Sequence, residues 1–315
     1  MRGITVPTVQ AGHAIGVDLG GTKILAGVVA RDGSLVRRHE RPTPQDSQEH
    51  VLTELEAAVA ALLDDSVEAV GFGTPSPIDQ EHGIVVRCVN LPLENAPLRD
   101  RMHERFGIPV GLDNDANAAA IGEWQVGAAR GEDDVVMLTL GTGVGGGVIS
   151  RGRPFRGRHG AGVELGHVVI VHDGRPCQGA CTGRGHLEAY VSGSAATAAA
   201  RAEFGPSADA HRLVRLANEG DAKAKELLDE VGRYLGSGIG SFVNVFGPRL
   251  VVLGGGFGVA AYDYLSGPAE GVMWREALEP MRSAVRLAKA ELGTAAGLIG
   301  AAFVGFEALD AAEST

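Results

Sequence analysis

Cysteine is scarce in this chain of 315 residues, which contains only Cys88, Cys177 and Cys181. A small odd number of cysteines in a chain of this length is not a disulfide framework, so a disulfide-stabilised secreted fold is excluded. No stretch approaches the length of a membrane span, and the N-terminal residues lack the charged-then-apolar pattern of a secretory signal. These absences predict a cytoplasmic protein with no membrane partner.

Positive charge is also in short supply. Lysine and arginine number 28 against 39 aspartates and glutamates, which gives a net charge of −11, and no basic run stands out. Nucleic-acid binders present a positive face to phosphates, so we expect no nucleic-acid partner. The apolar share of 44% and the chain length together predict a soluble protein with two domains.

Two glycine-rich turns lie between predicted strands. Strands at 14–18 and 24–30 flank Leu19-Gly-Gly-Thr-Lys23, and a strand at 135–140 is followed by glycines up to Gly147 before a strand resumes at Val148. This repetition indicates two domains of related plan, each offering a loop to one ligand. The other predicted elements are helices at 48–63, 116–129 and 295–309 and strands at 67–72, 108–112 and 249–253, so the fold class is α/β.

A glycine turn can bind an anion, because its backbone N–H groups are not hidden by side chains. Thr22 and Lys23 add a hydroxyl and a cation to the first turn. Two such loops could hold the β- and γ-phosphates of a nucleotide, and the alternative is that both are ordinary hairpin turns. A P-loop is excluded because Thr22 precedes Lys23, and the dinucleotide fingerprint at 141–146 is excluded because a strand follows it.

Carboxylates end two of the predicted strands. Asp18 stands immediately before the first glycine turn, where a carboxylate can hold Mg²⁺ beside phosphates. Asp113, Asn114 and Asp115 end another strand and begin a helix. A carboxylate there can accept the proton of a substrate hydroxyl during phosphoryl transfer. The alternative is helix capping, which explains one of the three residues.

A cluster of cysteine and histidine predicts a zinc site. His167, Cys177, Cys181 and His186 fall within a segment that has little apolar periodicity. They are four ligands of the kind that tetrahedral zinc prefers, and a segment without a core of its own needs such a crosslink. His172 is a possible substitute ligand, and free thiols with surface histidines are the alternative.

Taken together, these motifs resemble the ROK family of sugar kinases and repressors, within the hexokinase–actin superfamily. The resemblance runs from Ile15 to about Phe306 and is carried by Asp18-x-Gly-Gly-Thr-Lys23, Asn114-Asp115-Ala-Asn117, Leu140-Gly-Thr-Gly-Val-Gly-Gly-Gly147, Gly162-Val-Glu164-Leu-Gly-His167 and the cluster ending in His186-Leu-Glu188. It implies a two-domain, actin-like (ribonuclease H-like) ATPase fold with a cleft between the domains. We place the small domain at 1–121 plus 298–315, and the large one at 122–297 with a zinc segment at 167–186.

The resemblance also implies roles for single residues. Asp115 would be the general base on the 6-hydroxyl of the sugar, and His167 would bind zinc through one ring nitrogen and sugar through the other. The implied sugar ligands are Asn90, Asn114, Asp115, Glu164, His167 and Glu188. The implied nucleotide and Mg²⁺ ligands are Asp18, Gly20, Gly21, Thr22, Lys23, Gly141, Thr142 and Gly143, with Gly254, Gly255 and Gly256 bordering the adenosine. The implied zinc ligands are His167, Cys177, Cys181 and His186, and the implied cofactors are ATP, Mg²⁺ and structural Zn²⁺.

The implied reaction is the ATP-dependent phosphorylation of a hexose at its 6-hydroxyl, a step of glycolysis if the hexose is glucose. Glucose is favoured because Glu164, His167 and Glu188 match the glucokinase arrangement. N-acetylmannosamine, mannose, allose, fructose and a cyclitol stay open as substrates, and so does polyphosphate as donor. Ser76 stands where the family usually has glycine, and His186 stands where it usually has cysteine.

The family also contains repressors, which carry a DNA-binding domain ahead of the first glycine motif. Only 17 residues precede Asp18, which argues for a kinase. A non-catalytic sugar sensor is disfavoured because Asp115 is retained. The resemblance further implies a homo-oligomer, either a dimer or a tetramer.

Overall fold

A computed structural model describes residues 12–158, 160 and 163–314. The strands are β1 (His13–Leu19), β2 (Lys23–Ala30), β3 (Leu35–Pro42), β4 (Val67–Thr74), β5 (Ile78–Asp79), β6 (Ile84–Arg87), β7 (Glu94–Ala96), β8 (Val110–Asn114), β9 (Val135–Leu140), β10 (Val144–Ser150), β11 (Arg153–Pro154), β12 (Leu250–Gly254) and β13 (Arg286–Lys289). The helices are α1 (Gln48–Ala60), α2 (Leu98–Phe106), α3 (Asp115–Val126), α4 (Glu188–Val191), α5 (Gly193–Phe204), α6 (Ala210–Asn218), α7 (Ala222–Phe246), α8 (Gly256–Glu276), α9 (Met281–Ala284) and α10 (Ala296–Glu313). Short 3₁₀ turns lie at Leu165–His167 and Gly293–Ala295.

The chain divides into two compact units. The first unit contains the residues up to Ala118 and those from Gly297 onward, and the second unit contains Ala119–Ala296. The polypeptide therefore passes between the units twice, once within α3 and once near the start of α10. The predicted domain boundaries at residues 121 and 297 stay a prediction.

The first unit is built on a five-stranded sheet in the order β3-β2-β1-β4-β8. Its central strands are apolar and buried, and β1, β4 and β8 run parallel to one another. A smaller sheet, β5-β6-β7, belongs to the same unit. Parallel strands end at the same edge of a sheet, so Asp18 on β1 and Asn114 on β8 both lie near that edge.

A row of glycines crosses this sheet where α10 packs against it. Gly16 on β1 pairs in register with Gly71 on β4, which pairs with Gly111 on β8. A Cβ atom at any of the three would overlap a backbone oxygen of α10. The glycines therefore let the helix backbone approach the sheet backbone directly, which no larger residue permits.

The helical stretch Gly293–Glu313, which contains α10, is long and apolar enough to cross a membrane, contrary to the expectation that no stretch reaches that length. Its most apolar window is 56% buried inside the protein. Together with the packing on the glycine row, this burial explains its apolar composition as that of a core helix.

The second unit contains the sheet β11-β10-β9-β12-β13, and α7 and α8 pack against each other in its apolar core. The sequence predicted a glycine turn up to Gly147, and this was wrong at its end. Strand β10 begins at Val144, which pairs with Leu140 of β9, so Gly145–Gly147 are strand residues. A Cβ at position 146 would lie 2.7 Å from the Leu165 side chain, so glycine at this position leaves that space to the leucine.

Candidate active site and metal centre

Asp18 lies at the end of β1, partly buried beneath the first turn of α10. A Cβ atom at position 297 would lie 2.6 Å from its Oδ2, so Gly297 allows the helix to cover the carboxylate. Burial raises the pKa of Asp18 to about 6, and the positive charge of Lys23 opposes this shift. A cation bound beside the carboxylate would favour its charged form.

The first glycine loop is a tight hairpin turn, closed by the Gly20 N–H, which donates to the Lys23 carbonyl at 3.0 Å. Thr43 donates twice to this loop, from its hydroxyl to the Gly20 carbonyl (2.8 Å) and from its N–H to the Thr22 carbonyl (3.1 Å). The Gln45 amide donates to the Gly21 carbonyl at 2.7 Å. Because these oxygens are engaged by the chain, they are not left to repel a bound phosphate.

Lys23 follows this turn, and its ammonium lies 3.5 Å from Glu40 with half of each side chain exposed. An exposed ion pair of that length is weak, so a phosphate can compete for the lysine. A Cβ at Gly21 would meet nothing within 4 Å, and the described backbone at Gly20 and Gly21 has no positive φ. Glycine thus provides open space in this loop rather than an unusual backbone angle.

The three polar residues between β8 and α3 have different surroundings. Asp113 is fully buried and accepts hydrogen bonds from the Asn114 N–H (2.8 Å) and the Asn117 amide (3.0 Å). Asn114 caps α3, because its side-chain oxygen accepts from the N–H groups of Ala116 and Asn117. The partly buried Asp115 begins the helix and accepts from the Ala116 N–H at 2.7 Å. Capping therefore accounts for the oxygen of Asn114, and its amide nitrogen stays a predicted sugar ligand.

Ser76 is buried in the loop that follows β4, and only 2% of it is exposed. Its hydroxyl donates to the Pro77 carbonyl (3.0 Å) and accepts from the Arg87 N–H (3.2 Å). The hydroxyl therefore connects this loop to β6. Asn90, by contrast, is exposed in the turn between β6 and β7.

The second glycine loop belongs to the second unit, where Gly141 N–H donates to the Gly143 carbonyl at 3.0 Å. Glu188 Oε2 accepts from the Val144 N–H at 2.8 Å. A Cβ at Gly143 would overlap that carboxylate, so glycine here allows Glu188 to approach the loop. The Gly193 N–H, at the start of α5, donates to the Gly141 carbonyl at 2.8 Å. The loop is thus held between Glu188 and α5.

A cavity of about 480 Å³ opens beside this loop within the second unit. Gly141 and Thr142 line it together with residues from the start of α5, from α6 and from α8. Gly256 reaches the cavity, whereas the neighbouring Gly255 has a φ of 76° and no room for a Cβ against the Leu140 backbone. A cavity of this volume can hold a nucleoside.

The four predicted zinc ligands come together in the second unit. Their ligand atoms all lie within 4.8 Å of one another. His167 Nδ1 is 3.2 Å from His186 Nδ1 and 3.7 Å from Cys177 Sγ, and Cys181 Sγ is 3.6 Å from His186 Nδ1. Ordinary Zn–N and Zn–S bonds in a tetrahedron place such atoms roughly 3.3 to 3.8 Å apart. The donor set and its spacing therefore fit zinc.

The zinc segment folds around these ligands through backbone hydrogen bonds. The Cys177 N–H donates to the Gly183 carbonyl (2.9 Å), and the Leu187 N–H donates to the Val168 carbonyl (2.9 Å). Burial raises the pKa of Cys177 to about 11, with Cys181 adding to the shift, and a bound metal would reverse it by stabilising the thiolate. His172 is outside the described cluster, with its side chain 96% exposed beside Asp173.

Glu164 and Glu188 flank the zinc segment. Glu164 is exposed, and its carbonyl accepts from the His167 N–H at 3.0 Å. Glu188 Oε1 lies 3.8 Å from Cys177 Sγ. Glu188 therefore lies next to the cluster that contains His167, and Cys177 is the cluster member it contacts. The family motif includes residue 162, which lies outside the described residues.

The ROK family model matches residues 14–306. The chain belongs to the ROK family. It is 36% identical to a glucokinase of Thermotoga maritima over 92% of this chain and 96% of that one. It is 32% identical to an N-acetylmannosamine kinase of Escherichia coli, covering 92% of this chain and 97% of that one. A solved ROK family glucokinase of Streptomyces griseus, in complex with glucose and AMPPNP, aligns with a TM-score of 0.80 and 35% identity over 94% of this chain and 100% of that one.

The structural match to the ROK glucokinase confirms the predicted α/β fold of the actin-like ATPase class. In the first unit the hairpin β1–β2 is followed along the chain by β4, which pairs in parallel with β1. In the second unit the hairpin β9–β10 is followed by β12, which pairs in parallel with β9. The repeated pattern noticed in the sequence is therefore a repeated topology.

Two buried residues near these elements escaped sequence reasoning. Thr74 ends β4 beside Asn114, is fully buried, and its hydroxyl has no hydrogen-bond partner among the described residues. Glu123 is 1% exposed on α3. No pattern in the sequence distinguishes this buried glutamate from an exposed one, because two of its three backbone N–H partners, those of Glu291 and Leu292, are distant along the chain.

The pKa of Asp18 leads to a pH prediction. The free carboxyl has a pKa raised to about 6, and a Mg²⁺ ion held by this predicted ligand would favour the charged form, so we expect binding of Mg-ADP to release a proton. We expect the affinity for Mg-ADP to be level well above pH 6 and to fall below it by up to about tenfold per pH unit. Calorimetry between pH 5 and 8 measures this without any chemical step. The same affinity throughout that range would contradict the prediction, and Asp18→Asn should reduce the dependence to that contributed by the ADP phosphates themselves.

Proposed function

We propose that this chain is an ATP-dependent hexose kinase that transfers the γ-phosphoryl group to the 6-hydroxyl of glucose. The observation that carries the proposal is the placement of Asp18 and Asp115 near one edge of a sheet, at the ends of parallel strands. Ligands of open α/β sheets bind at that edge. A glucokinase 36% identical to the chain supports the choice of reaction and sugar.

In the proposed mechanism Asp115 is the general base. Its carboxylate accepts the proton of the 6-hydroxyl while the hydroxyl oxygen bonds to the γ-phosphorus and the bond to the ADP oxygen breaks. Asp115 suits this role because its neighbours have structural ones. Asp113 accepts from the Asn114 N–H and the Asn117 amide, and Asn114 caps α3. A carboxylate at the helix N-terminus is also fixed by its bond to the Ala116 N–H.

The phosphates of ATP are assigned to the two glycine loops. Lys23 and the N–H groups of the first loop other than that of Gly20 would bind phosphate oxygens, as would Thr142 in the second. The nucleoside would occupy the cavity that Gly141 and Gly256 line. Mg²⁺, which Asp18 would hold directly or through water, supplies positive charge to the phosphates.

The sugar is assigned to Asn90, Asn114, Glu164, His167 and Glu188, besides Asp115. His167 directs Nδ1 toward the other zinc ligands, which leaves Nε2 as the nitrogen that can bind a sugar hydroxyl. Zinc, held by the four clustered side chains, would fix the orientation of that ring.

The alternative substrate is N-acetylmannosamine, since kinases of that sugar are 32% identical to the chain. Epimeric and acetylated hexoses differ at single positions, so the ratio of kcat/KM values decides between them. The cytoplasmic location and the dimer or tetramer stay predictions.

A sugar panel tests the proposal. The purified protein with Mg-ATP is given glucose, mannose, fructose, allose, N-acetylmannosamine or a cyclitol, and ADP release is measured. We expect glucose to give the highest kcat/KM, with phosphate on O6 of the product. Preference for another sugar would overturn glucose as the substrate and leave the proposed kinase activity in place. No turnover with any sugar, with ATP or polyphosphate as donor, would overturn the kinase and favour a non-catalytic sensor.

A further inference from the structure

Glu123 is a buried carboxylate that the proposed mechanism does not use. Its Oε2 accepts from the N–H groups of Ala128 (2.8 Å) and Glu291 (3.1 Å), and its Oε1 accepts from the Leu292 N–H (2.8 Å). A Cβ at Gly127 would overlap Oε2, so glycine there leaves room for the carboxylate. Three backbone donors satisfy the buried charge, which makes Glu123 a connector of two chain segments.

Both segments lead from the second unit to the first. Glu123 lies on α3 five residues after Ala118, the last residue of the first unit on that helix. Leu292 lies five residues before Gly297, where the chain re-enters the first unit at the start of α10. The bonds of Glu123 are all within the second unit, and they join the chain next to both passages.

We propose that Glu123 is a positioning residue that fixes the two passages to each other, so that they act as one joint when sugar binds. Asp115 begins the same helix eight residues earlier, about 12 Å away along a helix rise of 1.5 Å per residue, so Glu123 does not touch the reacting atoms. The inference rests on the proposed kinase function. Kinases close around their substrates before transfer, and a loosened joint should impair that step more than sugar binding.

Trp124, the neighbour of Glu123, offers a direct probe. Its indole N–H donates to the Glu132 carbonyl at 2.8 Å, and the chain has one other tryptophan, the exposed Trp274. In a Trp274→Phe background, glucose should change the emission of Trp124. Adding Glu123→Gln should remove most of that change and lower kcat by about tenfold or more, as small misplacements do. The Kd for glucose, measured by calorimetry, should change less than about threefold.

Glu132→Gln is the matched control, because it removes a carboxylate of the same unit that pairs with Arg286 near the surface. It should leave kcat and the glucose response unchanged. If Glu123→Gln does not fold, Gly127→Ala crowds the same carboxylate without removing it. If Glu123→Gln or Gly127→Ala folds and keeps the wild-type kcat and emission change, the proposed joint is overturned and the proposed kinase function is not affected. A wild-type protein that phosphorylates no sugar would instead overturn the proposed function, and the emission change of Trp124 on glucose binding would still test the joint.

Discussion

Asp115→Asn is expected to lower the turnover number for glucose by about 10²- to 10⁴-fold, the usual effect of losing a positioned base. Asparagine has the shape of aspartate and can still accept from the Ala116 N–H, so the start of α3 should stay intact. It cannot accept a proton from the sugar hydroxyl. Binding of glucose should therefore persist while phosphoryl transfer is lost.

The measurement compares kcat from ADP release with glucose affinity from calorimetry. Asp100→Asn is a suitable control, since Asp100 is an exposed carboxylate in the first turn of α2 and should be dispensable. Circular dichroism of both variants should match that of the wild type. Near-normal turnover of Asp115→Asn would remove this residue from the mechanism.

Loss of the metal is the second large effect. The wild-type protein should contain about one zinc per chain, and Cys177→Ser or Cys181→Ser should contain almost none, since a tetrahedral site needs all four ligands. Without the metal, the orientation of His167 is no longer fixed by coordination, and Cys177 no longer places the segment beside Glu188. We expect kcat/KM for glucose to fall by about 10- to 100-fold.

Metal analysis and kinetics on the same preparations make this test. His172→Ala is the matched control, because this histidine lies in the same segment but its side chain is exposed and outside the cluster. It should keep both its zinc and its activity. A metal-free wild-type protein with full activity would show that the cluster holds no required zinc.

Much of the local structure was predictable from the sequence. Apolar runs identified the parallel strands β1, β4 and β12, because buried strands need continuous apolar residues. The strand carrying Val144 was predicted to start too late, because glycine is a poor indicator of a strand. Its pairing with Leu140 outweighs that weak propensity.

The sequence by itself determined the chemistry available to the protein: which carboxylates end strands, which turns consist of glycine, and that two cysteines and two histidines share one segment. Such motifs are local, so their spacing along the chain is enough to recognise them. Only the tertiary structure decided that Gly143 makes room for Glu188, and that Glu123 holds residues more than 160 positions away. Those roles depend on which distant backbone groups lie within hydrogen-bond or van der Waals distance, and packing of the whole chain sets that distance.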